Sequence, residues 1–288
     1  MNNSDIASAR RWFAEELRYV SCVRSSAVIS AFANVPREHF AGAGPWRLLS
    51  PMAMSGYWTT ADADPRHLYH DVLIALDETR RLNNGQPSLW AFVYDQLDLA
   101  AGQHIVHIGT GTGYYTAILA DITGRDGRVT AIEIDADLAE RTRTNLAPAW
   151  PQANVITADG FVFRPDLPAD AIIVNAGVTH FATPWLDALT DNGRLLVPLT
   201  NEERWGAFVL ITRRPGEPPR YAARHVCRVG IIDCVGGRDD AAQERLATAI
   251  RRHGFASIQS LRRPPEEPDD TCWLAGDGWW LSTAPPRA

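Results

Sequence analysis

Apolar positions in this chain follow two different spacings, and the switches between them outline its elements. Residues 5–40 look helical: Ser4 can cap a helix running to about Tyr19, and a second apolar-rich stretch, Ser25–Asn34, ends near Pro36. Residues 41–68 show no period and read as a long loop, and Tyr69–Leu76 reads as a strand or extended run. Asn83–Leu97 opens on turn residues and becomes an amphipathic helix with Pro87 in its first turn and a stripe of Leu89, Phe92, Val93 and Leu97. Short apolar strands then alternate with helices. Strands are predicted at Ile105–Ile108, Val129–Ile134, Asn154–Thr157, Ala171–Asn175 and Arg194–Leu199. Helices are predicted at Tyr114–Ile122, Ala136–Ala147 (ended by Pro148) and Phe181–Leu189, with a turn at Asn192-Gly193. Ala207–Arg213 and Ala222–Asp233 form an antiparallel hairpin, and Ala241–His253 is a helix stopped by Gly254. Arg262–Asp270 reads as a linker, and Cys272–Ser282 as a small hairpin.

This alternation predicts an α/β fold: a doubly wound, Rossmann-like sheet, mainly parallel, closed by an antiparallel hairpin. N-terminal helices precede it and a small C-terminal addition follows. The expected segments are 1–82, 83–237 and 238–288. Ligands of such sheets sit at the carboxyl ends of the strands. Gly109, Glu133, Asp159 and Asn175 all fall at such ends.

The densest chemistry lies in residues 104–135. Gly109, Gly111 and Gly113 link the first buried strand to its helix, and the next strand ends on Glu133 and Asp135. Strand, glycine turn, helix, strand and acid make a nucleoside-binding unit. A dinucleotide fingerprint, G-x-G-x-x-G, would need glycine at 114, where Tyr114 stands. The spacing here is G-x-G-x-G, typical of class I methyltransferases, whose ligand S-adenosyl-L-methionine has no pyrophosphate. The expected cofactor set is Ile108, Gly109, Thr110, Gly111, Gly113, Tyr114, Glu133, Ile134, Asp159, Gly160, Phe161 and Asn175. The glycines line the methionine end and Glu133 holds the ribose. Asp159 accepts from the adenine amino group, with Gly160 and Phe161 beside the ring. Asn175 stands near the sulfonium and the acceptor, where it is a candidate catalytic residue.

Composition narrows the chemistry. The 288 residues are 45% hydrophobic, enough for a sizeable core, yet no run approaches a membrane helix. The first nineteen residues lack the apolar core of a signal peptide, and the four cysteines form no C-x-x-C pair, so a reduced, cytoplasmic protein without a metal site is expected. A net charge of −6 argues against broad nucleic-acid binding. Every basic residue is arginine, which excludes a lysine Schiff base and a Walker A loop. Methyl transfer from a sulfonium mainly needs alignment. A carboxylate acceptor is ionised at neutral pH and needs no base.

Further segments resemble one branch of these enzymes, the protein-L-isoaspartate O-methyltransferases. Val35-Pro36-Arg37 with Phe40, Tyr69-His70-Asp71, Gln86-Pro87, the run 108–114, Asp170–Ala176, Leu196–Leu199 and Val229–Gly237 are similar to that family's motifs and keep their order. The resemblance implies S-adenosyl-L-methionine as cofactor and a peptide or protein carboxylate, the α-carboxyl of isoaspartyl residues, as acceptor. It implies an acceptor side built from residues 1–82 and from Asn84, Gln86 and Pro87. Where the family places a serine beside the reacting carboxylate, this chain has Gly85. A small-molecule carboxylate is a further candidate acceptor. A hydroxyl, an amine or an RNA base, or a cofactor-binding protein without turnover, are the alternatives.

Overall fold

The computed structural model describes residues 3–147 and 149–287. The chain divides into two compact units. One comprises Met1–Gln103, Thr110–Val129 and Asp135–Val155; the other comprises His104–Gly109, Thr130–Ile134 and Ile156–Ala288.

In the first unit, helix α1 (Asn3–Val20) buries Phe13, Ala14 and Leu17, neighbours at helical spacing. Ser4 lies inside it rather than capping it. Helix α2 (Ser26–Asn34) is capped as the sequence implies, Ser25 Oγ accepting from Val28 N at 3.3 Å. A short α3 (Glu38–Ala41) follows. The stretch expected to be a loop instead holds β1 (Arg47–Ser50), β2 (Ala53–Thr59) and a 3-10 turn at Pro65–Leu68. With β3 (Leu73–Asp77) and β4 (Leu82–Asn83) they make a four-stranded sheet ordered β2-β1-β3-β4. Its small core is Trp46, Leu48, Leu68 and Ile74. Adjacent buried residues, Leu48 and Leu49, break the two-residue alternation by which a strand is recognised.

Helix α4 (Pro87–Asp95) buries Trp90, Val93 and Tyr94, while Leu89 and Phe92 of the expected stripe are only half-buried. The aromatics win that face because Trp90 and Tyr94 pack on Tyr115, at ring distances of 5.2 and 6.3 Å. Tyr115 belongs to α5 (Tyr114–Thr123). Helix α6 (Ala136–Leu146) is amphipathic and capped by Asp135; Pro148, expected to end it, lies outside the described residues.

The second unit is built on β5 (His104–Ile108), β6 (Arg128–Glu133), β7 (Ala153–Thr157), β8 (Ala169–Val174), β9 (Leu189–Thr200), β10 (Trp205–Arg214), β11 (Arg220–Gly230), β12 (Ser260–Arg262), β13 (Cys272–Gly276) and β14 (Trp279–Ser282). The first residues of β6 and β7 belong to the other unit. The sheet order is β13-β14-β12-β11-β10-β9-β8-β5-β6-β7. β5 with β8, and β8 with β9, are parallel. Beyond β9 the sheet continues antiparallel through β10, β11, β12, β14 and β13, well past the closing hairpin expected. Helix α7 covers only Thr183–Asp187, because β9 already starts at Leu189 and runs through Asn192 at φ +63°. Helix α8 (Asp240–His253) is capped by Asp239 and stops at Gly254. Leu246, Ala249, Ile258, Leu261, Trp273, Trp279 and Leu281 share one core with Val106, Ile172, Val209 and Ile211. Among the described residues no helix is long and apolar enough to cross a membrane.

Candidate active site

In the second unit the predicted cofactor residues converge on the ends of β5, β6 and β8. Gly109 leaves β5 at φ +82°, its N–H donating to Ile132 O at 2.8 Å. A β-carbon there would stand 3.3 Å from Asn175 O, so both the backbone angle and the close approach favour glycine. Asn175 ends β8. Its N–H donates to Ile108 O at 2.8 Å and its Nδ2 to Gly109 O at 3.0 Å. The residue expected near the reacting atoms thus also clamps the turn that follows β5. Glu133 is buried at the end of β6, and Ile134 next to it is 44% exposed, a large apolar side chain with no core to fill.

Asp159 and Gly160 follow β7. Asp159 Oδ1 accepts from Phe161 N at 2.8 Å, and Gly160 O accepts from Trp185 Nε1 at 3.0 Å. A β-carbon on Gly160 would lie 2.3 Å from Ile108 Cγ2, which ties this glycine to the strand carrying the first turn. Phe161 packs edge-on against Trp185 and His180, with ring centroids 5.5 and 5.0 Å apart. A segment that the periodicity did not single out completes this side. Gly236, at φ +81°, leaves its bare α-carbon against Asp159: a β-carbon would meet Oδ2 at 2.8 Å. Burial, with the Asp159 carboxylate next in weight, pushes the Cys234 thiol up to about 12, so it stays neutral. Only the glycine pair at 236–237, after an apolar strand, could have signalled this wall.

In the first unit the glycine turn is finished by α6. Thr142 Oγ1 donates to Gly111 O at 2.8 Å and Asn145 Nδ2 to Thr112 O at 2.9 Å. Gly111 and Gly113 have φ of +59° and +94°, and a β-carbon on Gly113 would crowd Thr142 Cγ2 at 3.0 Å. Thr110 and Thr112 are buried, and their hydroxyls have no hydrogen-bond partner among the described residues. Tyr114 is core rather than lining: its ring packs on Phe40 and Phe32 at 5.7 and 6.3 Å. Arg80 pairs with Asp135 at 2.6 Å; backbone N–H donation, first from Leu138, and then Arg80 hold that carboxyl below its usual range.

The turn at residues 83–88 is assembled from a distance in sequence. Arg37, wholly buried, donates to the carbonyls of Leu68, His70 and Val72 at 2.7, 3.0 and 2.7 Å. It thereby fixes the segment that carries Asp71. Asp71 accepts from Ser88 N, Ser88 Oγ and Gln86 Nε2 at 2.8, 2.7 and 2.9 Å, supplying the N-terminus of α4 with the cap its own sequence lacks. Pro87 is buried at the first turn. Gly85 has φ +71°, and a β-carbon there would lie 2.8 Å from Trp90 Nε1 and 3.1 Å from Tyr115 Cε2. The position that lacks the hydroxyl therefore faces aromatic core. Tyr115 is raised well above its ordinary pKa by burial, and its hydroxyl donates to Gly85 O at 3.2 Å. Asn84 is 7% exposed, and its carboxamide nitrogen has no hydrogen-bond partner among the described residues.

An α/β sheet with a bare-backbone turn after β5 and a buried acid ending β6 defines a class I S-adenosyl-L-methionine-dependent methyltransferase. The residues fit that cofactor: Gly109 and Gly236 keep the backbone bare beside Asn175 and Asp159, and the Glu133 carboxylate suits a ribose diol. A family profile for protein-L-isoaspartate(D-aspartate) O-methyltransferase (PCMT) matches residues 9–226. The chain belongs to that family, and its cofactor is S-adenosyl-L-methionine. It is 27% identical over 229 residues to the protein-L-isoaspartate O-methyltransferase of Methanothermobacter thermautotrophicus, covering 79% of this chain and 95% of that one. It is 28% identical over 267 residues to the Thermotoga maritima protein of the same name, covering 88% and 78%. A solved protein-L-isoaspartate O-methyltransferase superposes with a TM-score of 0.62 at 18% identity, over 93% of this chain and 87% of that one. A Plasmodium falciparum structure described with the same activity and holding S-adenosyl-L-homocysteine gives 0.59 at 16% identity, over 78% and 97%.

Proposed function

We propose that this chain transfers the methyl group of S-adenosyl-L-methionine to the free α-carboxyl of an isoaspartyl residue in a polypeptide. The observation that carries this reading is the turn at Asn84–Ser88. Asp71 has gathered Gln86 and Ser88, leaving the Asn84 carboxamide as the turn's buried donor without a partner among the described residues. A serine at 85 on this backbone would run into Trp90, so the Asn84 carboxamide Nδ2 takes the part of orienting the acceptor carboxylate.

When bound, the cofactor supplies a methyl group already activated on a sulfonium. A carboxylate oxygen forms the new bond to the methyl carbon as the carbon–sulfur bond breaks, and the electron pair stays on sulfur. The product is a neutral ester. No proton has to be removed from the acceptor, so the chain's residues hold and align. Burial drives His107 down to about 3, which keeps it neutral through the physiological range. Glu133 holds the ribose hydroxyls, Asp159 the adenine amino group, and Asn175 keeps Gly109 in place. The S-adenosyl-L-homocysteine of the Plasmodium falciparum structure is what such a transfer leaves behind.

The test uses cofactor labelled in its methyl group and paired peptides that differ only in isoaspartate against aspartate. Label on the isoaspartyl peptide alone, released by mild alkali, is expected. Label that resists alkali, or that reaches both peptides equally, sinks the reading.

A further inference from the structure

The C-terminal addition carries a groove that the methyl-transfer chemistry does not use. It has a volume of about 410 Å³ and lies between α8 and β13, beyond the residues matched by the family profile. One wall consists of Glu244, Arg245, Thr248, Ala249, Arg252 and His253, two rows at four-residue spacing and thus one helix face. The other wall is Cys272–Ala275. All four residues border the groove, and a bulge between Cys272 and Leu274 interrupts the strand's alternation there; the side of β13 away from β14 is the edge of the sheet. That edge is open: β13 ends the sheet order, and among the described residues only β14 pairs with it.

The helix wall is the longer of the two. Four extended residues span about 10 Å, three steps of roughly 3.3 Å. Glu244–His253 spans about 14 Å of helix at roughly 1.5 Å per residue. Among the charged side chains of the lining, two arginines face one glutamate. Arg245 and Arg252 are exposed and form no ion pair among the described residues, against the single carboxylate of Glu244. In the preceding loop Glu266 and Asp269 are engaged by Arg262 and Arg287, while Glu267 and Asp270 are exposed and do not line the groove. Helix α8 also starts close to the cofactor residues in the chain. Its cap, Asp239, follows two residues after the Gly236-Gly237 pair that rests on Asp159, and Asp239 N donates to Thr179 Oγ1 at 3.3 Å.

We infer that this groove binds an extended, acidic segment of a polypeptide, which adds a strand to the β13 edge while Arg245 and Arg252 take its carboxylates. The inference rests on the reading that the methyl acceptor is a polypeptide, and it gives that acceptor a second point of attachment. An isoaspartyl residue keeps a free carboxylate, so a segment that carries it brings negative charge to such an edge.

The test is fluorescence anisotropy on the full chain without cofactor, using a labelled acidic octapeptide that contains no isoaspartate. Saturable binding is expected. It should weaken by at least about tenfold in the Arg245→Glu/Arg252→Glu double variant, as for charge reversal at a contact. Methylating alternate backbone nitrogens of the peptide should also abolish it, a change that leaves peptide charge intact but blocks strand pairing. Circular dichroism checks that the double variant is folded; if it is not, the backbone-methylated peptide decides alone. Equal binding of a basic octapeptide, or no effect of backbone methylation, overturns the inference. So does a dimer in sedimentation velocity that competes with the peptide, since the edge would then belong to a second copy. Methylation is not read in this experiment: binding without methylation leaves the groove standing and removes the acceptor assignment, and the converse removes only the groove.

Discussion

Gly109 in one unit and Gly85 in the other both hold positive φ, and they do so for opposite reasons. At Gly109 the missing β-carbon lets two backbones meet, Asn175 O lying 3.3 Å from where that carbon would be. At Gly85 the missing carbon makes room for Trp90 and Tyr115 side chains, so that glycine belongs to an aromatic core. The first lets two strand ends close on each other; the second lets a turn sit on its foundations. A glycine in a motif position therefore has meaning only with its neighbour: carbonyl at a strand end in one case, indole in the other.

Four substitutions sharpen or break that contrast, in descending size. Arg37→Met removes the donors to three carbonyls in the segment that carries Asp71, and a loss of about 3–5 kcal/mol is expected from unsatisfied buried groups. Urea denaturation measures it; a change under 1 kcal/mol, on the scale of a surface substitution, breaks the idea that this turn depends on Arg37. Glu133→Ala should lower cofactor affinity by about 1.5–3 kcal/mol, the worth of charge-assisted hydrogen bonds, with unfolding little altered. Calorimetric titration with S-adenosyl-L-homocysteine decides it, and unchanged affinity removes the ribose assignment. Gly85→Ala should cost about 1–3 kcal/mol of stability through strain at φ +71° and contact with Trp90, yet leave cofactor affinity intact. Equal stability, or a large affinity loss, would erase the distinction drawn between the two glycines. Asn84→Ala is the smallest: a rise in KM for an isoaspartyl peptide worth about 1 kcal/mol, the loss of one hydrogen bond. Steady-state kinetics at saturating cofactor should show it, and an unmoved KM assigns the donor elsewhere.

The glycine turn and the strand ends around it were legible because their signals are local. Ile108 and Glu133 end β5 and β6, Gly109 follows β5, Gly113 starts α5, and Asp159-Gly160 follow β7. The turn at residues 83–88 was legible only as a resemblance. Asp71 caps a helix that begins sixteen residues later, and Arg37 works on carbonyls, which leave no trace in side-chain pattern. Tyr114 misled for a related reason: it sits inside the glycine motif but its ring fills the core with Phe40. Of the small sheet, β3 falls within the extended run expected at Tyr69–Leu76, while β1 was missed because adjacent buried Leu48 and Leu49 break its alternation, and β12 because three residues fall below any usable window.

The late part of the chain has a consequence for how the protein comes into being. Leu246, Leu261, Trp273, Trp279 and Leu281 close the same interior as Val209 and Ile211, and β12 lies on β11. A nascent chain that has emerged from the ribosome only as far as residue 230 already contains every catalytic candidate, but β11 is then an uncovered ledge of main-chain groups above an unsealed interior. Synthesis stalled or cleaved at that stage would yield sticky, self-associating material rather than a smaller working enzyme.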